Sequence, residues 1–366
     1  MSYEQLGAVL PKAFIVGHRG ACAAMAMLES TGGPFAQLIA RSLAEVEFNS
    51  AENAELFVKL LLRLRDITPL FHVFGETAKT LSIALCEAIR VHAAELNDLL
   101  VEQSRSEVHD LRRKSAMVWR RLYGQAFVPP PDFEVLLKLV AWEAHDAAKA
   151  ELALLLGEAT REGSYDIERV VPMLRRLGTH DAAVVRDAAL RGLRITLVSS
   201  RIVPAHLRDF VDLVLTTPDH EGRISEVGHL LAAVAGDEPA VGAAVLESVL
   251  RSPAVTSLRQ RQASRLINRL RGPVTYLVAR LSDAERVRLV RLVPELNSYL
   301  LGRLVVDAAA YTAFASVAGA LDELLADPRV PDDLKRFIHN QKYRRQRGEG
   351  SDAWPEVYEI VAAKGT

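Results

Sequence analysis

Arginine is concentrated in one stretch of the chain, between Arg251 and Arg303, where the side chains could bind anions. Eleven arginines in this stretch stand against only three acidic residues, Asp283, Glu285 and Glu295, an excess of eight positive charges. Guanidinium groups donate paired hydrogen bonds to carboxylates and phosphates. The stretch therefore predicts a local anion-binding patch, although the whole chain is nearly balanced, with 45 basic and 46 acidic residues.

Three of these arginines recur at intervals of one helical turn. Arg261, Arg265 and Arg269 are each four residues apart, which places them in a ladder on one face of a helix whose opposite face is apolar. A row of guanidinium groups at this spacing can hydrogen-bond phosphates or the carboxylates of a partner. The candidate binding residues of this region are Arg259, Arg261, Arg265, Arg269 and Arg271.

Three interpretations of this patch remain open. The arginines can form an ordinary solvated face that pairs with acidic residues of the N-terminal third. They can also bind an acidic protein partner, or the phosphates of a nucleic acid. The neighbourhood lacks the interleaved aromatic side chains on which single-stranded nucleic acid would stack, which disfavours that ligand.

A second basic cluster surrounds Trp119 and includes aromatic residues. The combination suggests nucleic-acid binding, and its candidate binding residues are Arg112, Arg113, Trp119 and Arg120. However, Trp119 lies on the flank of a helical apolar stripe formed by Val108, Leu111, Val118 and Leu122. Packing beneath an adjacent helix is therefore the competing interpretation of this cluster.

The residue types needed for catalysis are scattered. The ten histidines show no metal-binding spacing such as H-E-x-x-H, and no G-x-S-x-G, P-loop or dinucleotide fingerprint occurs. The two cysteines, Cys22 and Cys86, are far apart and can form neither a disulfide framework nor a cysteine-rich zinc site. We therefore expect no catalytic residues, metal or cofactor, and we expect a reducing cytoplasm as the compartment.

Apolar residues recur at spacings of three and four through most of the chain, which predicts an all-α protein. Ser104 with Glu107 and Ser282 with Glu285 have the spacing of helix-starting capping boxes. Pro129 to Pro131 must interrupt any helix, and Asp132 can cap the next one. We predict an N-terminal helical region over 1–128, a helical-repeat region over 132–346, and a flexible linker with a C-terminal segment over 347–366.

A weak internal repeat begins at about Ile167. Apolar helices in antiparallel pairs are separated by short polar turns, and the first helices of three successive pairs end near Leu177, Leu215 and Leu250. These ends are 38 and 35 residues apart, inside the loose period of two-helix repeats.

The segment Gly178–Leu193 resembles the turn and second helix of a HEAT repeat, in which an Asp-containing turn leads to a helix rich in Arg and Ala. The residues that match are Asp181, Val185, Arg186, Ala188, Ala189 and Leu193. The resemblance implies a HEAT-like α-solenoid of stacked antiparallel helix pairs over Ile167–Asn340, within the C-terminal two-thirds of the chain. That family includes scaffolds, transport factors, condensin-like subunits and a few nucleic-acid enzymes, so it implies no single function.

Membrane association is not expected from the sequence. The run Ala13–Leu28 comes nearest to a signal or a span, but His18 and Arg19 interrupt it, and no later run approaches a spanning length. We predict a non-enzymatic binding or scaffold protein that engages a protein partner through the arginine patch, whose positive charge favours an acidic partner. Nucleic-acid binding is the alternative, followed by an enzyme that acts on nucleic acid.

Overall fold

The computed structural model describes residues 50–74, 82–124, 128–161, 163–199, 204–216, 220–256, 260–296 and 298–346. Every regular element in these ranges is a helix, so the all-α prediction is confirmed. The run Ala13–Leu28 and the predicted linker and C-terminal segment at 347–366 lie outside the described residues.

The chain divides into two compact units, Met1–Gly192 and Leu193–Thr366. This division does not coincide with the boundary predicted at Pro129 to Pro131, which lies inside the first unit. Side chains join the two sides of the prolines, because Arg112 pairs with Glu143 and Arg120 with Glu151, each at 2.8 Å. Prolines can therefore end a helix without separating two bodies.

The first unit consists of short and medium helices. In chain order they are α1 (Ala51–Leu64), α2 (Thr68–Phe74), α3 (Ile83–Val91), α4 (Ala93–Gln103), α5 (His109–Gly124), α6 (Phe133–Trp142), α7 (Asp146–Arg161), α8 (Ile167–Leu177) and α9 (Ala183–Ser199), whose last residues belong to the second unit. Helix α5 packs against α2, α4 and α7, while α7 also packs against α6 and α8.

Helix starts in the first unit are fixed by short polar side chains. Asp132 caps α6 as predicted, with its carboxylate accepting from the backbone amides of Glu134 and Val135. The capping box predicted at Ser104 and Glu107 is wrong. The Ser104 side chain is buried and hydrogen-bonds the Ser115 hydroxyl at 2.9 Å, because Ser104 follows the end of α4 rather than starting α5.

The second unit contains longer helices. They are α10 (Pro204–Thr216), α11 (His220–Asp237), α12 (Pro239–Arg251), α13 (Pro253–Thr256), α14 (Gln260–Arg280), α15 (Asp283–Arg291), a short 3-10 turn at Val293–Glu295, α16 (Tyr299–Ala326) and α17 (Asp332–Gln346). Helix α14 packs between α11 and α16, and α12 contacts α10, α11, α14 and α15. The predicted capping box at Ser282 and Glu285 is confirmed at the start of α15.

Four helices begin at a constant interval. Helices α5, α7, α9 and α11 start at residues 109, 146, 183 and 220, each 37 residues after the one before. The interval already holds at α5, which is well before the repeat that the sequence indicated from Ile167. These four helices are thus regularly spaced along the sequence.

Helix α16 is two helices joined without a loop. Its backbone is non-helical at Ala313, where φ is −153° and ψ is 48°. The half before Ala313 lies beside α14 and α17, since Asp307 contacts both Arg271 and Gln341. The half after Ala313 lies beside α15, where Glu323 pairs with Arg291 at 2.7 Å. Helix α17 contacts both halves, since its Lys342 pairs with Asp322 of the second half, whereas the Asp307–Arg271 pair with α14 is made by the first half and the Glu323–Arg291 pair with α15 by the second.

Helix α17 runs parallel to the first half of α16. Leu334 approaches Gly302, Phe337 lies under the Arg303 guanidinium, Gln341 bonds Asp307, and Arg345 lies over Tyr311. The contacts advance in the same order on both helices, which defines their common direction.

The prediction that no later run approaches a spanning length needs a correction at α16. This helix is long and apolar enough to cross a membrane when judged by length and composition alone, because it contains a long run of Leu, Val and Ala. Half of its most apolar window is buried against the rest of the chain, and Ala313 interrupts the helix. Its apolar residues thus also serve as the core of the second unit.

Candidate binding site

The predicted arginine ladder lies on α14. Arg265 and Arg269 are exposed on this helix, and the opposite residues Ala263, Leu266 and Leu270 are buried as the stripe predicts. The third ladder residue, Arg261, and the candidate Arg259 are not described in full. Arg261 belongs to α14 but its side chain lies outside the described residues, as does the whole of Arg259.

Arg271 lies on a different flank of α14 from the ladder. At about 100° per residue, Arg271 is turned well away from Arg265 and Arg269 and towards α16. Its guanidinium contacts the Asp307 carboxylate of α16 at 2.8 Å, while two-thirds of the side chain remains exposed. Among the predicted arginines with described side chains, the structure therefore separates Arg265 and Arg269 from Arg271.

An open groove of about 290 Å³ runs between α14 and α16, and we call it the α14/α16 groove. Each helix contributes residues at spacings of three and four. From α14 these are Ser264, Ile267, Asn268 and Arg271, and from α16 they are Leu300, Arg303, Leu304 and Asp307. The lining combines apolar side chains with two arginines and one aspartate, so it suits a ligand that is apolar and anionic together.

Arg303 is the second cation of the α14/α16 groove. Its guanidinium carbon lies 4.9 Å from the centroid of the Phe337 ring of α17, a cation–π contact that orients the side chain. Arg303 is exposed and forms no ion pair with any described residue. Its hydrogen-bond donors are thus available to an anion, whereas Arg271 already shares the Asp307 carboxylate.

Much of the positive excess predicted between Arg251 and Arg303 is neutralised in space. Arg291 pairs with Glu323 and Arg271 with Asp307, and both acids follow the stretch in the sequence. Arg251 and Arg288 both contact Glu247, which precedes the arginine-rich stretch in the sequence. These acidic partners lie in the second unit and not in the N-terminal third, where one interpretation expected them. Glu247 is on α12, the helix of Arg251 itself, and Asp307 and Glu323 are on α16. A count along the stretch missed them because they lie outside it.

A second groove, of about 390 Å³, lies among α10, α12 and α15. Three arginines line it: Arg208 from α10, Arg251 from α12 and Arg288 from α15. Sequence analysis did not select Arg208, because it stands alone in its helix. Only the packing of three helices reveals that it shares a groove with Arg251 and Arg288, which are 43 and 80 residues further on.

The basic cluster around Trp119 is largely internal. Trp119 is completely buried, so its ring is not presented to solvent in this structure. Arg120 contacts Glu151 at 2.8 Å and Glu158 at 3.3 Å on α7, and its side chain is mostly covered. Val108, expected in the same apolar stripe, is exposed because α5 begins one residue later.

Arg112 uses its guanidinium to hold three backbone segments together. It forms a bidentate ion pair with the Glu143 carboxylate, with distances of 2.8 and 2.9 Å. It also donates hydrogen bonds to the carbonyl oxygens of Ser106 and Glu107, at 2.9 and 3.1 Å. Arg113 contacts Asp110 at 3.4 Å and lies over the Phe71 ring. Arg112 in particular is an internal structural group, with few donors left for a ligand.

Two carboxylates of this cluster have pKa values that move in opposite directions. Burial alone would raise the pKa of Glu143, but the hydrogen bonds from Arg112 and from the His145 backbone amide bring it below the usual value. Burial raises the pKa of Glu158 and outweighs the effect of Arg120. Arg120 thus stabilises the charge of Glu158 incompletely, because it is shared with Glu151.

The described residues contain no group of three or more His, Cys, Asp or Glu side chains that could hold a metal ion. The imidazole rings of His109 and His145 stack with their centroids 4.6 Å apart. Burial raises the pKa of the Cys86 thiol, which opposes formation of a reactive thiolate.

Comparison with known proteins gives no family for the chain. No family model and no curated protein matches it. One similar solved structure is the crystal structure of an engineered protein from the Northeast Structural Genomics Consortium. It is 16% identical to this chain, and the comparison covers 93% of this chain and 94% of that one with a TM-score of 0.40. The proposals below therefore rest on the residues of this chain.

Proposed function

We propose that the chain is a non-enzymatic binding protein of the HEAT-like α-solenoid type, which engages an acidic protein partner through the α14/α16 groove. The observation that carries this proposal is the lining of that groove. Arg271 and Arg303 project from α14 and α16 beside the apolar residues Ile267, Leu300 and Leu304. A partner segment that combines an apolar side chain with a carboxylate would match both features.

Equivalent side chains in successive helices support the repeat part of the proposal. Arg112 and Arg186 are both the fourth residue of their helices, and each donates to the carbonyl oxygens five and six residues before it. Arg120 and Arg194 are both the twelfth residue, and each pairs with a glutamate 31 or 32 residues later. Such recurrence is expected when each helix pair packs against the next in the same way.

The α14/α16 groove also has the construction expected of a peptide site. Its two walls are helices, so the ligand-facing residues are held by regular backbone rather than by loops. Arg303 is oriented by Phe337, and Arg271 by Asp307, so their positions are set before a partner arrives. Pre-orientation of this kind lowers the entropy lost on binding.

Selection from a displayed peptide library would test the proposal. We expect wild-type protein to enrich peptides that carry both Asp or Glu and large apolar residues. Binding of the enriched peptides should be lost in the double variant Arg271→Glu, Arg303→Glu. The matched control is Arg336→Glu, which reverses an exposed charge on α17 outside the groove. Peptides that still bind the double variant as well as wild type would contradict the assignment.

Crosslinking would locate the peptide independently of charge. A photoreactive phenylalanine analogue replacing Asn268, which lines the groove, should crosslink a selected peptide. The same analogue replacing Asn340, an exposed residue of α17, should not. Crosslinking from position 340 alone would place the ligand elsewhere.

Nucleic acid is the competing ligand, and the same variants separate the two. If short duplex DNA or RNA bound at low salt, with an affinity that fell steeply as salt increased and disappeared in the double variant, nucleic-acid binding would replace the protein-partner proposal. An unchanged electrophoretic mobility of both nucleic acids at low salt would exclude that alternative.

A further inference from the structure

The groove among α10, α12 and α15 is a second candidate site, separate from the one assigned to a protein partner. Its lining differs from that of the α14/α16 groove because it contains three arginines, rather than two, beside apolar residues. Arg208, Arg251 and Arg288 come from three different helices, and Val241 and Val245 are among the apolar residues. Glu247 is the acidic residue of this lining.

Arg251 and Arg288 form long ion pairs with Glu247. The nitrogen Nη2 of Arg251 and the nitrogen Nη2 of Arg288 each lie 3.3 Å from a different oxygen of the Glu247 carboxylate. Ion pairs with good geometry are usually shorter, at about 2.7–2.9 Å. Arg251 also contacts Glu295 at 2.7 Å, through the same nitrogen that approaches Glu247. Most donors of both guanidinium groups therefore remain unused.

Arg208 has still fewer partners. It is exposed on α10 and forms no ion pair or hydrogen bond with any described residue. Arg251 and Arg288 also remain more than half exposed, so an incoming ligand can reach all three side chains. Counting Glu247 and Glu295, the five charged groups leave one net positive charge at the groove.

We infer that this groove binds a phosphate group. Guanidinium groups on three helices approach from different directions, and a phosphate presents several oxygens that can accept from more than one of them at once. A carboxylate has only two oxygens, and Glu247 uses one for Arg251 and the other for Arg288, which leaves none for Arg208. Glu247 acts as an internal competitor, because its negative charge repels the ligand and occupies Arg251 and Arg288.

Calorimetric titration of the full chain with inorganic pyrophosphate tests this inference. We expect one equivalent to bind wild type, and Arg208→Ala to weaken binding roughly tenfold or more, as expected for loss of a charge-assisted hydrogen bond. Glu247→Gln should strengthen binding, because it removes the competing charge. Arg336→Ala, which removes an exposed arginine on α17, is the matched control and should leave the affinity unchanged.

Two further titrations identify the source of the phosphate and separate this site from the first. A peptide with phosphoserine beside valine residues should compete with pyrophosphate if a phosphorylated side chain is the ligand, whereas pyrophosphate alone should bind if a free polyphosphate is the ligand. The variant Arg271→Glu, Arg303→Glu should retain pyrophosphate binding, so loss of one site does not imply loss of the other.

Several results would overturn the inference. These are no heat of binding with wild type, an equal loss of affinity in Arg208→Ala and Arg336→Ala, weaker binding in Glu247→Gln, or equally tight binding of a peptide with glutamate in place of phosphoserine. Arg208→Ala removes a side chain without described contacts, so it should fold normally. A thermal melt followed by circular dichroism would verify this.

Discussion

Gly157 of α7 and Gly192 of α9 lie in direct contact where these helices cross. A methyl group placed on Gly157 would lie 2.5 Å from the Gly192 carbonyl oxygen and 2.6 Å from its Cα. One placed on Gly192 would lie 2.8 Å from the carbonyl oxygen of Ala153. These neighbours are backbone atoms, which cannot rotate away as a side chain can.

Gly157→Ala should therefore destabilise the protein, although alanine is the better helix former. The helices must separate to admit the methyl group, and overpacking of this kind typically costs about 1–3 kcal/mol. Urea unfolding would measure the change. The matched control is Gly319→Ala on α16, where nothing lies within 4 Å, and where alanine should stabilise by about 0.5–1 kcal/mol. Equal stability changes in the two variants would contradict the close contact.

Glu143→Ala should be among the most damaging changes in the first unit. It leaves Arg112 charged and mostly covered, and breaking a buried pair in this way costs about 3–5 kcal/mol. Glu134→Ala is the control, because Glu134 pairs with Arg169 at the surface, where such pairs contribute about 0–1 kcal/mol. Denaturant unfolding near neutral pH should separate the two variants.

The effect of Glu143 should also depend on pH with a definite sign. The pKa of Glu143 in the folded state is below its usual value of 4.5, so the unfolded chain binds the proton more readily. Its contribution is therefore fully present above pH 4.5 and declines as the pH falls through the lower folded-state pKa. The stability difference between wild type and Glu143→Ala should narrow in acid. A difference that is constant over this range would refute the pairing.

Glu158 should show the opposite behaviour. Its folded-state pKa is raised from 4.5 by burial, so the folded protein binds the proton more readily. Stability should fall as the pH rises from 4.5 through the folded-state pKa, and Glu158→Gln should abolish this part of the decline. Near neutral pH the Glu158→Gln variant should be at least as stable as wild type. It removes the cost of burying the Glu158 charge, and Arg120 still forms its ion pair with Glu151. Glu151→Gln, compared under the same conditions, should retain the decline.

Ser282→Ala tests a feature that the sequence already indicated. The Ser282 hydroxyl accepts from the Glu285 amide, and the Glu285 carboxylate accepts from the Ser282 amide at 3.0 Å. Loss of the cap should cost about 1 kcal/mol in thermal or denaturant unfolding. A variant with unchanged stability would show that α15 starts without help from this pair.

Local patterns in the sequence predicted the fold where a signal depends on near neighbours. The apolar spacing, the Asp132 cap and the Ser282–Glu285 box all concern residues within a few positions of each other. The Ser104–Glu107 spacing is equally good, yet Ser104 bonds Ser115 because tertiary packing buries it. The spacing of Ser104 and Glu107 in the sequence gives no information about Ser115, the partner that Ser104 acquires on folding.

The candidate binding site was less predictable because its partners are distant in sequence. The arginine ladder on α14 could be recognised from its spacing in the sequence. That Arg303 lines a groove could not be predicted, because it depends on α16 packing beside α14. Glu247 and Glu323 lie outside the arginine-rich stretch and still neutralise part of it. No pattern in the sequence near Arg208 marks it as a binding residue. It is a candidate only because the fold places it in one groove with Arg251 and Arg288.

The break at Ala313 has a mechanical consequence. Because the backbone continues from one half of α16 to the other without a loop, there is no slack to absorb a relative displacement. A ligand that pushes the first half of α16 away from α14 must also strain the second half, which is held to α15 through Glu323 and Arg291. Since α15 carries Arg288, the path from the α14/α16 groove to the second groove consists of one covalent step, at Ala313, and one surface ion pair, Arg291–Glu323.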